Sequence, residues 1–157
     1  MINRKPMPIL IADDDVDDCQ LIKEAFHESR LLNELHFVKD GEELMSYLRR
    51  KGKYADVLGS PMPGLILLDL NMPKKDGREV LAEIKADKEL RHIPVVVLTT
   101  SSAEEDILRT YNLGVNSFVT KPVAFGDLVG LVRDIGHYWF EIVALPLPHE
   151  QEKNESR

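Results

Sequence analysis

The sequence predicts an α/β fold in which a doubly wound, five-stranded parallel sheet carries helices on both faces. Two observations predict it. Short apolar runs alternate along the chain with stretches whose apolar residues recur at helical spacing. Two of these runs, 65–68 and 93–98, are almost continuously apolar, as parallel strands buried on both faces are. The length of 157 residues suits one domain. We place this domain at 1–143 and expect a flexible tail at 144–157.

The first half of the chain is predicted to form two strands and two helices. A strand at 7–12 precedes Asp13-Asp14-Asp15, and a weakly alternating run at 33–38 suits a strand at the sheet edge. The turn Asp40-Gly41 opens the second helix. Residues 52–64 are rich in glycine and proline, so we expect an exposed, mobile loop there. The apolar residues at helical spacing in this half are Val16, Cys19, Ile22, Ala25, Phe26, Leu44, Met45 and Leu48.

The second half is predicted to form three strands and three helices. The strands are expected at 65–69, 93–98 and 117–120, and the last helix at about 124–143. Strands that alternate with helices imply right-handed crossovers and therefore parallel pairing. The apolar residues at helical spacing in this half are Val80, Leu81, Ile84, Ile107, Leu108, Tyr111, Leu128, Leu131, Val132, Ile135, Trp139 and Ile142.

Composition argues against several classes of protein. A net charge of −7 disfavours nucleic-acid binding, which requires a basic face. No apolar stretch approaches the ~20 residues of a membrane span, and no signal peptide is recognisable at the N-terminus. Cys19 is the one cysteine, which fits a reducing compartment. We therefore expect a cytoplasmic protein without nucleic-acid or membrane partners.

Residues capable of chemistry follow four of the five predicted strands. Asp13 and Asp14 follow the first, Asp69 the third, Thr99 the fourth and Lys121 the fifth. The carboxyl ends of parallel strands share one sheet edge, where ligands bind. Close carboxylates repel by roughly 4 kcal/mol per pair at an effective dielectric of about 20, so a cation is needed, and Mg²⁺ suits oxygen ligands. The pattern favours phosphoryl transfer, with Asp69 as nucleophile and Lys121 and Thr99 as partners of the phosphoryl oxygens.

These residues and their spacing resemble the receiver domains of bacterial two-component response regulators. Thr99 lies thirty residues after Asp69, and Lys121 lies twenty-two after Thr99. The resemblance covers about 7–143 and implies the flavodoxin-like strand order 2-1-3-4-5. It further implies that Asp14 and Asp69 ligate Mg²⁺ directly, that Asp13 acts largely through water, and that the Asn71 main-chain carbonyl is a third protein ligand. It also implies a cis peptide bond between Lys121 and Pro122.

Two positions depart from the common receiver pattern. Phe118 stands where many members have tyrosine, so a switch that relies on that hydroxyl is lost. Thr100 stands where a smaller residue is common, and its bulk would narrow the access to a phosphoryl group. We group both with Pro122 as candidate switch residues.

A closer resemblance is to the stand-alone response regulators that partner bacterial phytochromes, especially cyanobacterial ones. It rests on the segment 69–81, on the long loop before the third strand and on the aromatic stretch 136–143. In that group the carboxyl-terminal region helps to form homodimers. Tyr138 and Phe140 flank the apolar stripe of the last helix, so we take them as candidate dimer contacts.

The sequence therefore predicts a phosphoacceptor signalling protein rather than a classical enzyme. It would receive a phosphoryl group on Asp69 from a sensor histidine kinase and signal through protein contacts. We expect this kinase to be a phytochrome. One alternative is a receiver-like binding module that acts without phosphorylation. A less favoured alternative is a phosphatase of the haloacid dehalogenase type, which would want a second acid where this chain has Asn71.

Overall fold

The computed structural model describes residues 7–57, 61–100 and 104–139. It contains a parallel sheet of five strands in the order β2-β1-β3-β4-β5, which confirms the predicted fold class and strand order. The strands are β1 (Ile9–Ala12), β2 (Leu35–Val38), β3 (Leu65–Leu68), β4 (Val95–Thr99) and β5 (Ser117–Thr120). The helices are α1 (Val16–Glu28), α2 (Gly41–Leu48), α3 (Gly77–Ala86), α4 (Glu104–Asn112) and α5 (Phe125–His137).

The sheet separates two apolar cores, because successive side chains of a strand point to opposite faces. Leu10 and Ala12 of β1 face the core beneath α2 and α3. Ile9 and Ile11 face the core beneath α1 and α5. The three central strands are buried along their whole length, as expected for strands covered on both sides.

Aspartates fix the start of three helices. The side chains of Asp15, Asp40 and Asp76 accept hydrogen bonds from backbone N–H groups in the first turns of α1, α2 and α3. These bonds satisfy donors that have no partner within the helix. Each of these caps fixes the point at which a helix begins after the loop that follows a strand. The caps therefore help to shape the loops at the carboxyl ends of the strands.

The segment predicted as a mobile loop is partly ordered. Gly52–Val57 form a 3₁₀ helix. The Tyr54 ring packs edge-on against Tyr47 of α2, with ring centroids 5.0 Å apart, and its hydroxyl donates to Glu43 at 3.0 Å. The predicted loop therefore contains a short helix at 52–57, which an aromatic side chain anchors to α2, while the predicted exposure is confirmed for 52, 53, 55 and 56.

Helix α4 buries a different side chain from those the apolar pattern indicates. Leu108 and Tyr111 are largely exposed, whereas Thr110 is fully buried. The Thr110 hydroxyl donates to the backbone carbonyls of Asp106 and Ile107 at 2.7 and 3.1 Å. Since its polar atom is satisfied within the helix, the threonine can face the core.

The end of α5 agrees in part with expectation. Trp139 is buried in the core beneath α1 and α5, as its place on the apolar stripe predicts. Residues 140–157 lie outside the described part of the chain, so the predicted extension of the helix to 143 and the tail remain predictions. Among the described residues, none of the helices is both long and apolar enough to span a membrane.

Candidate functional site

The sheet brings the predicted site residues together at one edge. Asp13 directly follows β1, Asp69 directly follows β3, Thr99 ends β4 and Lys121 directly follows β5. Hydrogen bonds between neighbouring strands hold the backbone at these points. The Asp69 N–H donates to Ala12 at 2.9 Å, and the Lys121 N–H donates to Thr99 at 2.8 Å. The register of the strands, rather than the loops alone, therefore sets the spacing of the site.

The Asp69 carboxylate lies at the centre of this group and is only 7% exposed. Its Oδ1 accepts hydrogen bonds from the Thr99 hydroxyl at 2.8 Å and from the Asn71 backbone N–H at 3.1 Å. Its Oδ2 accepts a hydrogen bond from the Lys121 ammonium at 3.1 Å. A buried carboxylate with this set of donors is held in one orientation, as a nucleophile for in-line attack must be.

The Lys121 ammonium contacts three carboxylates. Its Nζ lies 2.6 Å from Asp13 Oδ2, 2.8 Å from Asp18 Oδ2 and 3.1 Å from Asp69 Oδ2. Burial favours the neutral amine, but the hydrogen bonds with Asp13 and Asp18 outweigh it and raise the pKa of Lys121. The side chain therefore keeps its positive charge across the physiological range.

Asp13, Asp14 and Asp69 form an acidic cluster that fits a divalent cation. One carboxylate oxygen of each residue lies within 4.8 Å of the others. Asp13 and Asp69 are buried, whereas Asp14 is exposed and leaves a side open to water. Burial raises the pKa of Asp13, and its hydrogen bonds with Lys121 and the Asp15 N–H oppose this only in part. Oxygen donors with room for water suit hard cations such as Mg²⁺ and Mn²⁺.

The structure also locates the three candidate switch residues. Thr100 is exposed and lines a cleft of about 240 Å³ together with Asp18, Lys121 and Pro122. Its bulk therefore lies beside the approach to Lys121. Phe118 is half-buried against the core beneath α2 and α3. Its backbone N–H donates to the Tyr111 hydroxyl at 3.2 Å, so a tyrosine of α4 contacts this strand.

The expected cis bond before Pro122 is not found. No peptide bond among the described residues is cis, so the Lys121–Pro122 bond is trans. A trans bond is favoured before proline by about 0.5 to 1 kcal/mol. In this arrangement the Lys121 ammonium already reaches Asp69, and the expectation of a cis bond is corrected.

Sequence reasoning missed one member of the site, Asp18. An acid in the first turn of a helix is ordinarily explained by its favourable interaction with the helix dipole. The structure shows that Asp15 caps the backbone N–H of Asp18 at 3.1 Å, and that the Asp18 carboxylate turns to Lys121. The available signal was weak: a further acid in the turn that directly follows the acidic cluster.

The structure describes one of the two candidate dimer residues. Tyr138 is 51% exposed, and its ring packs at right angles against Trp139, with centroids 5.2 Å apart. Phe140 lies outside the described residues. The predicted dimer contact thus has one described side chain, which presents an aromatic surface to solvent.

Comparison with known proteins agrees with this geometry. The family model for the response regulator receiver domain matches residues 9–133. Response regulator Rcp1 of Synechocystis is 47% identical over 141 residues, which cover 90% of this chain and 94% of Rcp1.

Two solved structures are similar across the same region. The phosphorylated cyanobacterial phytochrome response regulator RcpA superposes with a TM-score of 0.83 at 46% identity. The Mn²⁺-bound form of Rcp1 superposes with a TM-score of 0.81 at 47% identity. Each alignment covers 90% of this chain and 99% of the other. With a family model matched over most of its length and a relative at 47% identity, this chain belongs to the response regulator receiver domain family.

Proposed function

We propose that this protein is a response regulator that accepts a phosphoryl group on Asp69 from a sensor histidine kinase. The observation that carries the proposal is the environment of Asp69. This buried carboxylate receives hydrogen bonds from Thr99 and Lys121 and lies within an acidic cluster that suits a divalent cation. The similarity to a phosphorylated phytochrome response regulator supports the same assignment.

In the proposed reaction, an Asp69 carboxylate oxygen attacks phosphorus of a phosphohistidine. An oxygen–phosphorus bond forms, the nitrogen–phosphorus bond breaks, and the imidazole nitrogen leaves with the electron pair and takes up a proton. Lys121 and the Thr99 hydroxyl hydrogen-bond to the phosphoryl oxygens. Asp13, Asp14, Asp69 and the Asn71 carbonyl would hold Mg²⁺, which neutralises the charge that develops on the transferred group. The protein thus supports its own phosphorylation and slow dephosphorylation without being a classical enzyme.

Phosphorylation would change which proteins the domain contacts. When Thr99 turns from Asp69 toward a phosphoryl oxygen, the adjoining α4–β5 surface would respond, with Thr100, Phe118 and Pro122 at its margin. To move a population from 1:99 to 99:1, phosphorylation must favour the active state by about 5.5 kcal/mol. The output in this proposal is a protein–protein interaction made by a single domain spanning 1–143, with 144–157 as a tail.

The proposal extends to partner, location and assembly. The similarity to RcpA, a phytochrome response regulator, supports a phytochrome as the kinase. The protein would act in the cytoplasm, where it meets the kinase domain, and would form a homodimer through its carboxyl-terminal region. Incubation with a phosphorylated phytochrome kinase tests the pairing. We expect the phosphoryl group to pass from this kinase to the chain within seconds, and much more slowly from an unrelated histidine kinase. Equal rates of transfer from the two kinases would contradict the proposed pairing.

The central test uses acetyl phosphate, a small phosphodonor that needs no kinase. Wild-type protein with excess acetyl phosphate and Mg²⁺ should gain the mass of one phosphoryl group, whereas Asp69→Asn should gain none. Asp76→Asn, which alters a helix cap outside the acidic cluster, serves as a control and should be phosphorylated. A wild-type protein without an adduct would overturn the proposal.

The same experiment separates the two alternatives. A binding module that acts without phosphorylation would give no adduct, although the intact set of Asp69, Thr99 and Lys121 argues against it. A phosphatase of the haloacid dehalogenase type would hydrolyse varied phosphate esters rapidly and would show no lasting adduct. That chemistry requires an acid two residues after the nucleophile, and this chain has Asn71 there.

A further inference from the structure

Lys121 has three N–H donors, and each is directed to a different carboxylate. Two of its partners, Asp13 and Asp69, belong to the acidic cluster. The third, Asp18, lies outside that cluster and accepts a hydrogen bond at 2.8 Å. We therefore expect these three contacts to respond differently when Asp69 is phosphorylated.

Two of the contacts must weaken during the reaction. Asp69 carries the phosphoryl group in the product, and Asp13 belongs to the set that faces a cation. A buried ammonium that lost both partners would depend for its position on the incoming phosphoryl oxygens alone, unless a third group held it. Asp18 has no such second task, because its carboxylate approaches from α1 on the solvent side, where it lines the cleft of about 240 Å³.

The position of Asp18 is itself fixed. Its backbone N–H is capped by the Asp15 carboxylate at 3.1 Å, which anchors the first turn of α1. Its side chain is 33% exposed, whereas that of Lys121 is 9% exposed. The ammonium therefore lies between two kinds of partner. Asp13 and Asp69 are buried and change their contacts during the reaction, whereas the partly exposed Asp18 does not.

We propose that Asp18 is a positioning residue that keeps the Lys121 ammonium aimed at the phosphoryl group while Asp13 and Asp69 release it. This role rests on the proposed phosphorylation of Asp69 and adds a residue to that site. A charge-assisted hydrogen bond of this kind fixes both the direction and the distance of the donor. Asp18 acts through Lys121 and does not touch the reacting atoms.

The test compares Asp18→Ala with Asp17→Ala. Asp17 is an exposed acid in the same helical turn, and its side chain makes none of the contacts with Lys121. The two variants lose the same charge, so general repulsion of an anionic phosphodonor changes similarly in both. With Mg²⁺ and excess acetyl phosphate, Asp18→Ala should be phosphorylated at least about five-fold more slowly than Asp17→Ala, in line with the loss of one charge-assisted hydrogen bond. A smaller difference would overturn the proposal.

A second readout needs no phosphate. In protein labelled with ¹⁵N-lysine, the Nζ signal of Lys121 is assigned by its disappearance in Lys121→Arg. Asp18→Ala should shift this signal and speed its hydrogen exchange, whereas Asp17→Ala should leave it in place. An unchanged signal in Asp18→Ala would contradict the contact. If Asp18→Ala does not fold, Asp18→Asn, of equal size, replaces it in both measurements with the same expected directions.

The two readouts keep this proposal separate from the proposed function. If wild-type protein takes up no phosphoryl group, the phosphoacceptor assignment fails, and the positioning role fails with it, whatever the lysine signal shows. If wild-type protein is phosphorylated but the two variants react equally fast, only the role of Asp18 is overturned.

Discussion

At the scale of single residues, the site depends on one positive charge among several negative ones. The Lys121 ammonium is the basic group that contacts Asp13, Asp18 and Asp69. Burying two carboxylates next to each other is costly unless a cation offsets them. Lys121 has this role in the described structure, and a divalent cation bound to the acidic cluster would share it.

We therefore expect Lys121→Met to destabilise the metal-free protein by about 3 to 5 kcal/mol at pH 7, because it leaves buried carboxylates without a counter-ion. Excess Mg²⁺ should recover part of this loss by binding the same carboxylates in the folded state only. Urea unfolding with and without Mg²⁺ measures both effects. The exposed Lys88→Met is the control and should change stability little. Equal losses in the two variants would contradict the prediction.

At the scale of elements, polar bridges attach α3 to neighbouring helices. The Arg78 guanidinium of α3 makes paired hydrogen bonds at 2.7 and 2.6 Å with Asp106 of α4. Glu83 of α3 accepts from Lys75 at 2.6 Å and from Arg49, which caps α2, at 2.8 Å. The two bridges join α3 to its neighbours on either side.

The Glu83 bridge makes a pH-dependent contribution to stability. The hydrogen bond from Lys75, and then that from Arg49, lowers the pKa of Glu83 below its ordinary value of 4.5, although burial opposes this. A lowered folded-state pKa gives stability that is present above pH 4.5 and is lost as the pH falls through the folded-state value.

We expect Glu83→Gln to lower the free energy of unfolding by about 0.5 to 1 kcal/mol at pH 7, as for a half-exposed ion pair. The difference from wild type should shrink as the pH falls below 4.5. Chemical unfolding from pH 7 to pH 3 follows this change. Glu79→Gln, on the exposed side of the same helix, provides the matched control and should change the free energy of unfolding little at pH 7. A deficit that stays constant with pH would refute the assignment.

At the scale of the whole molecule, the two apolar cores bury one aromatic ring near the end of α5 and leave its neighbour exposed. Trp139 is buried beneath α1 and α5, while the neighbouring Tyr138 is half exposed. An exposed aromatic residue beside a core residue is typical of a contact surface. This arrangement supports the proposed homodimer but also fits a surface for another protein.

Size-exclusion chromatography with light scattering decides between these uses of the surface. Wild-type protein is expected to have the mass of a dimer, and the double variant Tyr138→Asp with Phe140→Asp that of a monomer, because buried carboxylates would disrupt an apolar contact. Tyr111→Asp alters a similarly exposed tyrosine on α4 and should remain dimeric. A monomeric wild type, or a dimer broken by Tyr111→Asp alone, would contradict the predicted contact.

The sequence by itself determined the fold class and most of the site. Local pattern was sufficient for the strands, since apolar runs as short as 65–68, bounded by turn residues, suit a buried strand better than a helix. Parallel pairing then placed Asp13, Asp69, Thr99 and Lys121 at one edge without further information. The strand limits differ from the predicted ones by one or two residues: β1, β2 and β4 begin two residues later, β3 ends one residue earlier and β4 ends one residue later.

Only the tertiary structure decided the contacts that depend on packing between distant segments. Asp18 and Lys121 are 103 residues apart, and nothing in the first turn of α1 indicates which way that carboxylate points. The burial of Thr110 in place of Leu108, and the anchoring of Tyr54 on α2, likewise depend on which neighbours are present. Hydrophobic periodicity specifies elements because it is local, whereas the third partner of a buried ammonium is selected by the geometry of the assembled sheet and helices.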